Sequence, residues 1–301
     1  MITLKLAWRT ISRRKGRMAL IGSLVAFGTF LIVFGGSVSA SAEKASREAI
    51  IGNFTGDFIV YSADSKELPS PFAFNTPLPP IRNADAVTDA LSALDGVEDW
   101  TWYAQNYGII EVDRDGAKLD LPFIFYAVDP VSWQKVFPNV EVTSGSYFGL
   151  PGAPERGILV SDYQNAQHLE NFGTTLKPGE RIKLLGVTEG GANTVSSSMT
   201  GTFTPVHYAS VFNYINFMDA ETYTELYNYT GVEALPDSFN AGLAAATADE
   251  DSLFALAGDD SFGKLDLAAL TPRTLSGFTM VAVKLADHSK ANEAIAALSK
   301  T

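Results

Sequence analysis

Cysteine is absent from this 301-residue chain, and histidine occurs only three times. Without thiols there is no disulfide framework and no thiolate metal site. His168, His207 and His288 lie far apart and outside any ligand spacing such as HExxH, so each is expected at the surface and no metal site is expected. No GxSxG, no nucleophile paired with a base and no diagnostic pair of carboxylates occurs, so the chain offers no catalytic and no cofactor-binding residues. Gly258 to Lys264 (GDDSFGK) nearly spells a phosphate loop. However, Leu265 stands where Ser or Thr would hold magnesium, and two aspartates would repel phosphate. Asp249-Glu250-Asp251 lacks the alternating oxygens and glycine of a calcium loop and reads as a solvated charge run.

A second absence carries more information. No acid occurs before Glu43, and from Met18 to Ala42 no side chain ionises at all. The apolar part, Ala19 to Val38, matches the roughly 20 residues that cross a bilayer. Lys5, Arg9, Arg13, Arg14, Lys15 and Arg17 precede it, so the positive-inside rule places residues 1–17 in the cytoplasm and residues 41–301 outside it, where no ATP is at hand. A secretory signal peptide cleaved after Ala40 or Ala42 is the competing reading, but the run exceeds the roughly 7 to 15 apolar residues of a signal.

The body beyond the span is acidic. Net charge is −12 overall, and because residues 1–42 carry +6, residues 43–301 carry −18. Such a body repels nucleic acid and anionic headgroups. Its 46% apolar composition supplies a core.

In chain order, residues 2–12 suit an interfacial helix, with Trp8 at headgroup level and Arg13, Arg14, Lys15 and Arg17 anchoring the cytoplasmic side. Gly28, Gly35 and Ser39 share one face of the span, where another helix could approach closely. Residues 41–52 read as a stalk helix. A strand is expected at Asp57 to Ser62 and an extended proline-rich loop at 69–80. A helix with Ala86, Val87, Ala90, Leu91 and Leu94 on one side should close at Gly96.

Residues 97–128 read as a hairpin turning at Asp115-Gly116. Further on come a strand at Ile158 to Val160, a helix capped by Asp162, a turn at Lys177-Pro178-Gly179 and a strand from Arg181. Thr188 to Thr200 reads as a mobile polar loop or hairpin tip, and Asp219 as the cap of a helix bearing Tyr223, Leu226 and Tyr227. Residues 241–263 read as a surface insertion, and a strand from Phe278 leads to a helix starting at Ser289. Asn53-Phe54-Thr55 and Asn228-Tyr229-Thr230 fit the glycosylation acceptor pattern.

Leu4-Lys5-Leu6-Ala7-Trp8-Arg9, then Arg13-Arg14-Lys15-Gly16-Arg17 and the span, resemble the start of FtsX-like, MacB-type permeases of ABC transporters. The segments at Gly157 to Leu185, Met218 to Asn228 and from Phe278 resemble the family in the same order. The resemblance implies an α+β protein: one N-terminal transmembrane helix (18–40), a stalk and a mixed α/β extracytoplasmic domain. A small subdomain would comprise 53–128 and 274–301, with a β-rich insertion at 129–273. It further implies a cytoplasmic ABC ATPase subunit, a second permease copy or homologous permease, and an extracytoplasmic substrate such as a lipoprotein, peptide or drug. The family carries three later spans that do not occur before Thr301, so a fragment, a truncated product or half of a split permease is expected. A membrane-anchored binding or sensor domain, and a secreted domain, are the alternatives.

Overall fold

A computed structural model describes residues 15–71, 78–188, 191–206, 212–232, 272–274 and 277–299. The chain divides into two compact units, Met1–Ile50 and Ile51–Thr301.

The first unit is built on helix α1, Lys15–Ile50. Its apolar side chains are exposed all round, Leu20, Leu24, Phe27, Phe30 and Phe34 each by more than half. A helix apolar on every side requires an apolar medium. Its hydroxyls fit one, because Ser23 donates to the carbonyl of Leu20 and Thr29 to that of Val25, each at 2.9 Å, so neither needs water. Among the described residues this is the one helix long and apolar enough to cross a membrane. It continues past the apolar run, where Lys44 and Glu48 pair at 3.7 Å.

The second unit opens with a π-helical turn, Ile51–Thr55, and strand β1, Phe58–Tyr61. Helix α2, Ala84–Ala93, comes next and buries Leu91. Strands β2, Val97–Arg114, and β3, Ala117–Val128, form a hairpin paired from Tyr103↔Val128 to Arg114↔Ala117. Its turn works because Asp115 and Gly116 both take positive φ, +55° and +82°, as a two-residue hairpin loop requires. The Asp113 carboxylate accepts the Gly116 N–H at 2.9 Å.

Helix α3, Pro130–Val136, starts where Asp129 accepts the Ser132 N–H at 2.7 Å and proline occupies the first turn. Then come β4, Val140–Gly145; β5, Ile158–Ser161; and helix α4, Asp162–Phe172. Ser161, not Asp162, caps α4, accepting the Gln164 N–H at 3.0 Å. Asp162 instead accepts from the hydroxyls of Thr143 and Thr204. Strands β6, Arg181–Thr188, and β7, Gly191–Pro205, pair along their whole overlap, so the polar stretch from Thr188 to Thr200 is largely strand rather than loop.

Strand β8, Ile215–Asp219, leads into helix α5, Ala220–Leu226, which Asp219 caps as expected. Two short strands, β9, Thr230–Val232, and β10, Pro272–Thr274, pair with each other. Strand β11, Met280–Leu285, a short 3-10 turn and helix α6, Ala291–Leu298, complete the described chain. Residues 241–263 with Asp249 to Asp251, and the near-phosphate loop at 258–264, lie outside the described residues, as do His207 and half of the proline-rich loop.

Strand pairing defines the architecture. The main sheet runs β1-β11-β2-β3-β8-β5-β7-β4, and β6 pairs with both β2 and β7. That double pairing closes β2, β3, β8, β5, β7 and β6 into a ring, while β1 and β11 extend the sheet from β2. Phe123, Phe125, Ile158, Leu184, Met199 and Met218 form the core associated with the ring, with Tyr223, Leu226 and Tyr227 of the α5 region packed into it. A second core joins α2 and α6 to the extension through Phe58, Leu91, Val281, Val283 and Ala294. The fold is thus one N-terminal apolar helix followed by a mixed α/β body dominated by β-structure.

Candidate functional site

Of the two described histidines, His288 is at the surface as expected and His168 is not. His168 is buried, 1% exposed, because it lies on the inner face of α4, where its Nε2 lies 3.2 Å from the Pro122 carbonyl and 2.9 Å from the Gln164 amide. Burial lowers its pKa, and the Pro122 carbonyl offsets part of that shift. His288 lies at the surface with Nδ1 2.7 Å from the carboxylate of Asp57, which also accepts the Leu285 N–H. No cluster of three or more His, Cys, Asp or Glu that could hold a metal occurs among the described residues. Asn53 is buried, which closes that acceptor to a glycan.

Of the proposed membrane residues, Gly28, Gly35 and Ser39 lie in α1, and a Cβ built on either glycine meets nothing within 4 Å. Arg17 is exposed on the first turn of α1, and Lys15 begins that helix. Trp8, Arg13 and Arg14 lie outside the described residues.

Among the concavities lined by described residues of the second unit, two differ sharply in the chemistry of their walls. The first, about 720 Å3, lies over the outer face of β2, β3, β6 and β7 and gathers Lys118, Arg156, Arg181 and Lys183. These cations are largely neutralised in place. Lys118 and Lys183 share Glu111 at 3.1 and 3.8 Å, and Arg156 meets Glu225 at 2.9 Å, Glu221 at 3.6 Å and buried Asp219 at 3.7 Å. The Arg156 hydrogen bond holds the Glu225 carboxyl below its usual range. Lys118, Lys183 and Arg156 are thus engaged by carboxylates of the body itself, and Arg181 forms no ion pair among the described residues.

The second concavity, about 750 Å3, is apolar and runs between α2 and α6 along β1. Ala86, Val87 and Ala90 form one wall and Ile295 and Leu298 the other. All four residues of β1 line it. In the sequence Ala86 and Ala90 read as part of the core face of a helix, and nothing indicated that the last helix would stand opposite. The local signal was the composition of β1 itself, FIVY, a strand without charge or proline.

The fold and this site define a class: a mixed α/β body carrying an apolar groove, in a chain whose N-terminal helix is long and apolar enough to cross a membrane. No family model matches the chain, and no curated protein does. Among solved structures it is similar to the extracellular domain of the noncanonic ABC-type transporter YknZ from Gram-positive bacteria, at 11% identity and a TM-score of 0.39. That match covers 78% of this chain and 86% of the other. It is also similar to a domain assigned to a permease protein from Porphyromonas gingivalis, at 13% identity and a TM-score of 0.32, over 71% of this chain and 81% of that one.

Proposed function

We propose that the chain is the N-terminal part of a permease subunit of an FtsX/MacB-type ABC transporter. In this reading it is a non-catalytic element that carries motion from a cytoplasmic ATPase partner to a body outside the membrane. The observation that carries it is the charge asymmetry about α1: six cations and no acid before the span, and a net −18 after residue 42. The order of the basic start, span and later segments, which resembles that family, supports it. Trp8, Arg13, Arg14, Lys15 and Arg17 then seat the chain at the inner face of a bacterial plasma membrane. The face of Gly28, Gly35 and Ser39 meets a helix of a second permease copy. Residues 53–128 with 274–301 form the small subdomain, and 129–273 the insertion that handles substrate, with lipoproteins among the candidate cargo.

The absence of cysteine makes the test direct. Ser12→Cys and Ser92→Cys, the latter exposed on α2, are treated in intact cells with a membrane-impermeant maleimide. Labelling of Ser92→Cys alone, with Ser12→Cys reacting only after lysis, is the expected result. The reverse pattern, or loss of residue 12 from the mature chain, removes the reading. Purification of the tagged permease from its native membrane should also bring down an ATP-hydrolysing partner.

A further inference from the structure

We propose that a cavity lined by β3, α3, β7 and β8 holds one ordered water, which hydrogen-bonds Tyr126, Trp133 and Asn139 and braces Asn139 against the π-helical turn that follows α1 in the chain. The inference stands apart from the transporter reading. Buried polar side chains of native proteins are nearly always hydrogen-bonded, so each exception calls for a cause. Among the described residues six buried side-chain nitrogen or oxygen atoms have no partner. Three of the six, the Tyr126 hydroxyl, Trp133 Nε1 and Asn139 Oδ1, belong to residues that line this one cavity. All three residues are more than nine-tenths buried. They come from β3, from α3 and from the residue before β4, so three separate elements converge here. Each group left bare would forfeit its hydration with nothing in return.

Donor and acceptor chemistry selects the occupant. Trp133 Nε1 can only donate, Asn139 Oδ1 can only accept, and the Tyr126 hydroxyl does either. One water meets all three demands, accepting from the indole and donating to the amide oxygen. An apolar guest would meet none of them, and an ion would lose its hydration beside rings such as Phe203 and Phe217. Size agrees, because the cavity offers a water's centre about 10 Å3, the room of a single molecule, and buried waters typically make about three hydrogen bonds.

Position gives this water a task. The Asn139 side chain also donates through Nδ2 to the Gly52 carbonyl at 3.2 Å and to the Asn53 side chain. Both residues belong to the turn Ile51–Thr55, and Asn53 lines the cavity as well. A water on Oδ1 fixes the amide from its other end, which keeps Nδ2 on the turn.

The test uses the full chain in nanodiscs with isotope-labelled tryptophan, the Trp133 indole signal being the one of four that Trp133→Phe removes. At that indole proton, cross-peaks to water are expected with opposite signs in laboratory-frame and rotating-frame Overhauser spectra, the mark of a held water rather than of proton exchange. Tyr126→Phe should raise the unfolding constant about fivefold, as expected for one lost hydrogen bond. It should also speed hydrogen exchange at the Gly56 amide, which bonds the Ile51 carbonyl across the turn, more than at the amides pairing β6 with β7. A Trp133 indole without a water cross-peak overturns the proposal. So does an unfolding constant that Tyr126→Phe leaves unchanged or lowers, the result for a hydroxyl removed from a dry cavity. Equal acceleration at Gly56 and along β6 and β7 overturns the bracing of the turn.

Discussion

At the scale of single residues, the second unit depends on close approaches that only particular side chains permit. Gly157 takes a φ of +147°, and a Cβ there would run into the methyl of Thr200 and the carbonyl of Ser198. Its N–H also donates to buried Asp219 at 2.8 Å. Gly157→Ala should therefore cost about 2 to 3 kcal/mol, from backbone strain and displaced packing, read as a lower urea midpoint at unchanged slope. His168 gives a pH signature. Its folded pKa lies below the unfolded value of about 6.5, so the unfolded chain binds the extra proton first as the solution is acidified. Its contribution is full above that value and declines as pH falls through the window beneath it. His168→Gln should flatten the stability profile below about pH 6.5 relative to the parent chain, and equal slopes would discount the buried imidazole.

At the scale of elements, α3 shows what a short helix can hold together. Trp133 is fully buried, with ring centroids 4.6 Å from Phe137, 5.4 Å from Phe217, 5.5 Å from Tyr103 and 5.7 Å from Tyr126. Trp133→Ala should lose about 3 to 5 kcal/mol, while Trp133→Phe should lose less, by thermal or urea unfolding. The local marks of this helix, an aspartate directly before a proline, are present in the sequence. The Asp115-Gly116 turn, the Asp219 cap and the apolar span were legible because each is set by neighbouring residues. The first half of strand β7 was not, since it is rich in serine, threonine and asparagine, and only pairing with β6 makes it a strand. Ser161 displaced Asp162 as cap because Asp162 is engaged by two threonines distant in sequence. Groove and ring were equally hidden, because β1 meets β11, and β6 meets β2, through contacts that no window of sequence contains.

At the scale of the whole molecule, β2 binds the two cores into one body. Trp100 and Trp102, near its start, pack on the core beneath α2 and α6, while Ala104, Ile110 and Val112 belong to the core of the ring. Neither core can be lost without freeing part of the same 18-residue strand. Unfolding of the second unit should therefore be a single transition. Far-ultraviolet dichroism and tryptophan fluorescence should give the same midpoint, and two separated midpoints would show that the cores melt independently.

The register of β1 also bears on how the chain is made. Phe58 lies opposite Val283, so a strand made early during synthesis has no described neighbour until a segment more than two hundred residues later has emerged. Throughout that interval a greasy, uncharged ribbon with both margins bare is at risk of sticking to other nascent chains. Rapid delivery of the remaining polypeptide shortens that exposure.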